Sequence, residues 1–236
     1  MLYDEEALQT VRKTRLLIDE YDCWLIEELR QYLGQRVLEI GCGLGNMLRH
    51  FTDLELVIGI DNSPETVELA KQKFVDFNNV LIHEYSITDP SVLALREKRL
   101  DTAVSLNVFE HIEDDELAMR HTALLLEPNG YFLMIVPAHQ LLYGTMDVSI
   151  GHYRRYTKEM AKSKLEKSGF KVKYQKYLNA LGAIGWFVNG HLSRQKVPTA
   201  GQLRAFNKIV PVLKLVDRAF PPPFGISLMI VAQRED

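Results

Sequence analysis

The feature that most constrains the fold is a regular alternation of short apolar runs with amphipathic stretches through the middle of the chain. The runs are rich in β-branched residues and bounded by Gly, Asp or Pro, which is typical of buried strands. Strands alternating with helices at this spacing predict a parallel sheet covered by helices on both faces. The predicted strands are residues 36–40, 56–60, 80–83, 102–106 and 131–136.

The remaining elements are predicted from apolar periodicity and from Pro and Gly punctuation. A helix over 64–77 follows the capping pair Asn62-Ser63, and a second covers 113–127. Residues 5–33 predict one or two helices, and 157–168 predict a basic helix that Gly169 stops. Strands are predicted at 170–178 and 226–232. Between them lies an insert with an uncharged stretch, 178–192, and a basic amphipathic helix, 203–220, broken or kinked at Pro211.

Composition excludes several classes of protein. The 236 residues are 47% hydrophobic and 25% charged, the proportions of an ordinary globular protein, and a single domain fits this length. Two cysteines, Cys23 and Cys42, do not form a disulfide framework, and no Cys/His pattern has zinc spacing, so no metal is expected. The acidic start is unlike a signal peptide, and no apolar run reaches the ~18 residues of a membrane span. We therefore expect a cytoplasmic protein.

Charge is divided unevenly along the chain. Residues 1–151 hold 12 Lys and Arg against 26 Asp and Glu, a net −14, whereas residues 152–236 hold 16 against 5, a net +11. Either the C-terminal part faces an anionic partner or the two halves neutralise each other within the fold. Both interpretations stay open at this point.

The most specific motif follows the first predicted strand. Glycines at every second position, Gly41, Gly43 and Gly45, allow positive φ and a close approach of the backbone to a ligand. Nicotinamide and flavin proteins use G-x-G-x-x-G, but here the sixth position is Asn46. Glu39 would repel a pyrophosphate and suits a ligand that carries positive charge. Asp61, at the tip of the second strand, is placed to accept hydrogen bonds from ribose hydroxyls.

Taken together, these motifs resemble those of a known family. E-x-G-x-G-x-G from Glu39, then G-I-D-N-S through Asp61, then Leu106–Ile112 (LNVFEHI) are similar to class I S-adenosylmethionine-dependent methyltransferases of the small-molecule, type 11-like kind. The resemblance covers about residues 35–178 and the final strand. It implies a Rossmann-like, seven-stranded, mostly parallel sheet with helices on both faces, and an antiparallel last strand. Helices at 1–34 extend the domain at its N-terminus, the core is 35–178 with 226–233, and the helical insert is 179–225.

The resemblance implies a cofactor, S-adenosylmethionine (SAM), with S-adenosylhomocysteine as product, and a role for each matching residue. Glu39 and the Gly41–Gly45 backbone would hold the methionine end, Asp61 the ribose and Asn107 the region of the reacting methyl. Relatives usually carry an acidic residue and then an aliphatic one after the third strand, and this pair contacts adenine. Here the matching pair is Ser86 and Ile87, so a serine stands in place of the acidic residue. Asp89 would replace that residue only if the loop is shifted. The implied cofactor-binding residues are Glu39, Gly41, Cys42, Gly43, Gly45, Asn46, Asp61, Asn62, Ser86, Ile87 and Asn107.

Some of these residues also have ordinary structural explanations. Cys42 fits a small filler better than a nucleophile, because the loop presents its backbone. Asn46 is compatible with a simple helix cap. Glu110 and His111 fit a structural role, with His111 packed beneath the cofactor loop.

A long loop rich in His, Tyr and Arg, residues 137–156, is the candidate acceptor site. Loops of this length inside a compact domain are usually functional. A hydroxyl or amine acceptor must lose a proton, for which His152, and secondly His139, is the predicted base, with Asp147 orienting either one. Alternatively, the arginines pair with acidic residues and His152 fixes the loop. The candidate substrate-binding residues are Tyr143, Asp147, Arg154 and Arg155.

The sequence therefore predicts methyl transfer to a small-molecule or lipid-linked acceptor, at oxygen rather than nitrogen or carbon. The alternatives are a SAM-binding sensor or scaffold without catalysis, and a nucleic-acid methyltransferase. No D/N-P-P-Y motif, the usual device for exocyclic amino groups, supports the latter. Basic amphipathic helices either lie on anionic membranes or cover a core or a homodimer interface. For residues 178–220 the sequence does not decide between membrane contact and a packing role.

Overall fold

The computed structural model describes residues 15–193 and 195–236, with side chains described from residue 17. Its centre is a seven-stranded sheet with the strand order β3-β2-β1-β4-β5-β7-β6. The strands are β1 Arg36–Ile40, β2 Leu56–Asp61, β3 Val80–Glu84, β4 Leu100–Leu106, β5 Leu126–Pro137, β6 Phe170–Leu178 and β7 Ser227–Arg234.

The first five strands are parallel, and the last strand reverses the pattern. β1 pairs with β2 and β4, β2 with β3, and β4 with β5, all in parallel register. β7 is antiparallel between β5 and β6. The predicted fold class is confirmed, and β1 and β6 have the predicted bounds. Because parallel strands share one carboxyl edge, the residues that follow β1, β2, β3 and β4 come together there.

Seven α-helices are present among the described residues. Capping residues explain where two of the helices begin. The Ser63 side chain accepts a hydrogen bond from the Thr66 amide at the start of the helix that opens with Pro64, and Thr199 forms a capping box with Gln202. The helices are α1 Asp19–Leu29, α2 Pro64–Lys73, α3 Asp115–Leu125, α4 Thr145–Ser149, α5 Lys158–Lys167, α6 Ala180–Phe187 and α7 Ala200–Ala219. A π-helical turn, Val188–Leu192, follows α6, and Pro90–Lys98 is a 3-10 helix.

The described chain forms two compact units. The core unit comprises Leu29–Ile135, Glu159–Gln175 and Ile230–Asp236, and contains the glycine loop. The insert unit comprises the described part of residues 1–28, Val136–Lys158 and Lys176–Met229.

Several local predictions need correction. The glycine loop leads into turns and one 3-10 turn, Leu48–His50, with no side-chain cap, so the helix for which Asn46 would be the cap is not formed. Residues 137–156 are not a bare loop, because they contain a 3-10 turn and α4. The helix predicted at 203–220 begins at Ala200 and continues unbroken through Pro211. The predicted helix at 64–77 ends early, at Lys73. Residues 5–14 of the first predicted helix lie outside the described residues.

Candidate active site

The glycine loop of the core unit is shaped by left-handed backbone. Gly41, Gly43 and Gly45 have φ of 73°, 52° and 74°. A Cβ on Gly41 would meet Val108, and one on Gly45 would meet the Phe74 ring, so protein neighbours fill those two sides. Beside Gly43, a Cβ would meet no described atom within 4 Å. The loop is therefore packed at both ends and open at its middle glycine, where a ligand can approach the backbone closely.

Asp61 connects the end of β2 to this loop. Its Oδ2 accepts a hydrogen bond from the Gly43 amide at 2.9 Å, and its Oδ1 accepts one from the Ser63 amide at 3.0 Å. The Gly41 and Cys42 amides both donate to the Ile60 carbonyl, which fastens the loop to β2. The carboxylate is thus oriented by backbone donors, and carboxylate oxygens have capacity for further ones.

Two buried side chains lie at the glycine loop, Glu39 before it and Cys42 within it. Glu39 lies in β1 and is only 2% exposed. The Cys42 thiol is buried against Gly59, and burial followed by the charges of Glu39 and Asp61 strongly raises its pKa. A thiol held protonated in this way is a poor nucleophile, which favours a packing role for Cys42.

The predicted adenine-side residues occupy the turn after β3. The Ser86 hydroxyl lies 2.8 Å from the Thr88 hydroxyl, and Ile87 is buried while its carbonyl accepts from His121 Nδ1 at 2.7 Å. Asp89 caps the 3-10 helix at Pro90–Lys98 through the Ser91 amide. Its exposed carboxyl is therefore occupied in capping. Asn62 is exposed between Asp61 and the Ser63 cap.

Asn107 has an unusual backbone conformation. It follows β4 directly and has φ of 55°, a region that Asn tolerates better than most residues. Its amide donates to the Ile135 carbonyl at 2.8 Å, which holds the kink at the carboxyl edge. Strained positions of this kind concentrate at functional sites. The predicted cap, Asn46, is half-buried in the turns after Gly45 and caps no helix.

A buried carboxylate organises the predicted acceptor segment of the insert unit. Asp147 is fully buried in α4. It accepts hydrogen bonds from His152 Nδ1 at 2.7 Å, from Arg155 Nε at 2.8 Å and Nη2 at 3.1 Å, and from the Gly144 amide at 3.1 Å. Burial alone would raise the pKa of Asp147, but the His152 hydrogen bond and the Arg155 charge outweigh it and hold that pKa below its ordinary value.

Trp186, which is not among the residues predicted from the sequence, completes this cluster. Its Nε1 donates to Asp147 Oδ2 at 3.1 Å, and the Arg155 guanidinium lies 5.0 Å from its ring centroid. Arg155 is 1% exposed and also donates to the Ala138 carbonyl, so its donors are directed into the fold. The geometry favours a positioning role for Arg155 over the predicted contact with substrate. In the sequence, the only indication of Trp186 is an indole within the uncharged stretch 178–192.

The other predicted residues lie around this cluster. The Tyr143 hydroxyl donates to the His152 carbonyl at 2.6 Å, and burial raises its pKa. The Arg154 guanidinium lies 5.6 Å from the Tyr153 ring centroid, and its side chain is half-buried. His139, at φ 60°, packs against Tyr177 with ring centroids 4.4 Å apart and ring planes tilted by 34°. Burial and then the Arg155 charge lower the pKa of His139, so it is neutral near pH 7.

Comparison with known proteins decides the family. Residues 16–175 match the family model described as "Methyltransferase domain", which is more than half of the chain. The chain belongs to this methyltransferase family. The predicted resemblance to SAM-dependent class I methyltransferases is thereby confirmed, and SAM is the cofactor of the family.

Relatives of this methyltransferase include proteins of known and unknown role. A ubiquinone biosynthesis O-methyltransferase from Rhodopseudomonas palustris is 34% identical over 110 residues, 44% of this chain and 39% of that protein. An uncharacterised protein of transposon TN4556 from Streptomyces fradiae is 27% identical over 150 residues, 61% of this chain and 43% of that one. The chain thus matches about two fifths of the length of these curated relatives.

The fold comparison agrees. A SAM-dependent methyltransferase structure from Archaeoglobus fulgidus superposes with a TM-score of 0.60 at 20% identity, covering 91% of this chain and 93% of that one. At this identity the likeness shows the fold alone. Among the described residues of this methyltransferase, no helix is both long and apolar enough to cross a bilayer.

Proposed function

We propose that this chain transfers a methyl group from SAM to a hydroxyl group of a small or lipid-linked acceptor in the cytoplasm. The observation that carries the acceptor half of the proposal is the buried Asp147–His152 pair. A neutral histidine that donates from Nδ1 to a carboxylate has Nε2 as its basic nitrogen. The carboxylate also stabilises the imidazolium that forms when the ring takes a proton, as in other Asp–His pairs.

The residues of the glycine loop fit SAM. The open side of Gly43 lets the cofactor approach the loop backbone closely, and Asp61 offers carboxylate oxygens to ribose hydroxyls. Glu39 supplies negative charge for the methionine amine, and Asn107 borders the reacting methyl. When bound, the sulfonium supplies a methyl group already activated for in-line displacement, so the chain contributes mainly by positioning.

The acceptor chemistry is assigned to the segment that follows β5. His152 removes the hydroxyl proton as the oxygen attacks, and Asp147 keeps the imidazole oriented. Arg155 and Trp186 hold Asp147 in turn. The ubiquinone O-methyltransferase relatives support oxygen as the methylated atom, since their name records that chemistry.

The test is a methyl-transfer assay with labelled SAM and matched phenols, catechols and amines, with and without a prenyl tail. His152→Gln is expected to lower kcat by roughly 10²-fold or more while SAM affinity, measured by calorimetry, is unchanged. Asp61→Ala is expected to weaken SAM binding by about tenfold or more, the scale of a hydrogen bond to a charged group. His50→Gln, a histidine of the core unit, is the control.

The outcomes separate the parts of the proposal. Full activity of His152→Gln removes it as the base, and methylation of amines alone refutes oxygen as the acceptor atom. SAM binding without methylation of any acceptor would instead favour a sensor or scaffold.

A further inference from the structure

Exposed apolar side chains are concentrated in one segment of the insert unit. Eleven of the eighteen large hydrophobic side chains that are exposed among the described residues lie between positions 181 and 224. They come from α6, the π-helical turn, α7 and the loop after α7. Isolated exposed hydrophobic residues are ordinary, but a cluster of this kind marks an interaction surface.

Helix α7 shows the arrangement most clearly, because it is apolar on two faces. Val210 and Leu213 are buried, at 1% and 5% exposure, and form its inward face. On an adjoining, exposed side Ile209, Val212 and Val216 are 50%, 62% and 45% exposed and recur at helical spacing. A surface helix of a globular protein normally presents polar residues there. The outward row, with Leu215 and Phe220 beside it, is here called the α7 outer face.

On α7 itself, basic residues outnumber acidic ones, although Glu20 and Glu27 of α1 lie beside Leu215. Between residues 178 and 226 the only acidic residue in the sequence is Asp217. It is half-buried and accepts a hydrogen bond from the Asn179 amide at 2.5 Å. Lys214 and Arg218 form ion pairs with Glu27 of α1. Arg204 and Lys208 are exposed, and neither forms an ion pair with a described residue.

We propose that the α7 outer face docks on an anionic phospholipid bilayer, with α7 lying in the plane of the interface. An apolar row beside basic side chains matches a surface that offers both acyl chains and anionic headgroups. A nucleic acid would satisfy the basic residues and leave the apolar row in water. Docking would bring a lipid-linked acceptor to the enzyme, a consequence that rests on the proposed function, whereas the docking itself does not.

The experiment is co-sedimentation of the full chain with vesicles of phosphatidylcholine plus phosphatidylglycerol, and of phosphatidylcholine alone, without SAM or acceptor. We expect binding to the anionic vesicles that falls as salt is raised. Arg204→Gln with Lys208→Gln should lower partitioning by about 25-fold, about fivefold for each basic residue near the surface. Val212→Glu should lower it by roughly tenfold or more, because the residue must then stay in water.

The matched control is Val75→Glu, which places the same charge on an exposed valine of the core unit, 75% exposed. Equal loss of binding in Val75→Glu and Val212→Glu, or no binding of the wild type at low salt, overturns the proposal. A concentration-dependent dimer that Val212→Glu abolishes, with no vesicle binding, would overturn it in favour of a second copy of the chain. If the wild type binds the anionic vesicles but methylates no acceptor in the labelled-SAM assay, the proposed function alone is overturned.

Discussion

At the residue scale, the three glycines of the loop serve different purposes despite similar φ values. Gly45 lies against the Phe74 ring, whereas Gly43 has open space beside its Cα. Lys73 Nζ also donates to the Leu44 carbonyl at 2.9 Å and fixes the loop between them. The sequence motif marks both positions as equivalent, and only the packing distinguishes the glycine that lies against a protein ring from the one with open space beside it.

This difference gives a prediction for a matched pair of alanine variants. Gly43→Ala should cost about 1–2 kcal/mol of unfolding free energy, the cost of left-handed backbone for alanine, and weaken S-adenosylhomocysteine binding by about tenfold or more. Gly45→Ala should lose roughly 1–3 kcal/mol more, because its methyl group overlaps the Phe74 ring. Urea denaturation and calorimetry measure the two effects. Unchanged ligand affinity in Gly43→Ala would show that the ligand does not approach this glycine.

At the element scale, α4 is held in place by residues distant in sequence. Thr145 Oγ1 lies 2.9 Å from the Gly190 carbonyl and 2.7 Å from that of Gln195, and Ser149 Oγ donates to the Lys196 carbonyl at 2.6 Å. Trp186 of α6 adds its hydrogen bond to Asp147. A five-residue helix has little stability of its own, so these contacts supply most of it.

We therefore expect Trp186→Phe, which keeps an aromatic ring and removes the N–H, to destabilise the chain by about 1.5–3 kcal/mol, the scale of a hydrogen bond to a charged group. It should also lower kcat severalfold, because Asp147 then orients His152 less well. SAM affinity, assigned to the core unit, should not change. Phe187→Leu, next in sequence on the same helix, is the control. If the kcat of Trp186→Phe equals that of the control, Trp186 has a structural role only.

These elements also show why the strands were predictable and the acceptor segment was not. A buried parallel strand such as β1 records its surroundings in a local apolar run, so 36–40 has the same bounds in sequence and structure. The Asp147 cluster, by contrast, joins residues up to 39 positions apart, from Trp186 to Asp147. Sequence chemistry suggested that Asp147 orients a histidine and, as an alternative, that the arginines pair with acidic residues, as Arg155 does with Asp147. It did not indicate that Trp186 joins this pair or that α4 replaces part of the loop.

At the scale of the whole molecule, part of the uneven charge along the chain is neutralised within the fold. Glu27 of α1 pairs with Lys214 and Arg218 of α7, and Glu28 pairs with Lys176, all within the insert unit. These are acidic residues of the first half and basic residues of the second. Neutralisation thus accounts for some of the basic residues, while Arg204 and Lys208 remain exposed.

The same fold should lose stability on acidification in two steps. Burial and neighbouring positive charges lower the pKa of His139 and His83, so the unfolded chain binds protons more readily below about pH 6.5 and unfolding becomes easier. The second step lies below about pH 4, where the unfolded form of Asp147 takes up a proton that the folded form resists.

His139→Asn tests the first step, because Asn tolerates the positive φ at this position. Urea denaturation from about pH 7.5 to about pH 5 should give a shallower loss of unfolding free energy than in the wild type, and His83→Asn should reduce the remaining slope. An unchanged slope in the double variant would show that neither histidine is held neutral by the fold. A slope reduced by His83→Asn alone would assign the step to the core unit, where burial and then Lys71 and Lys98 lower the pKa of His83.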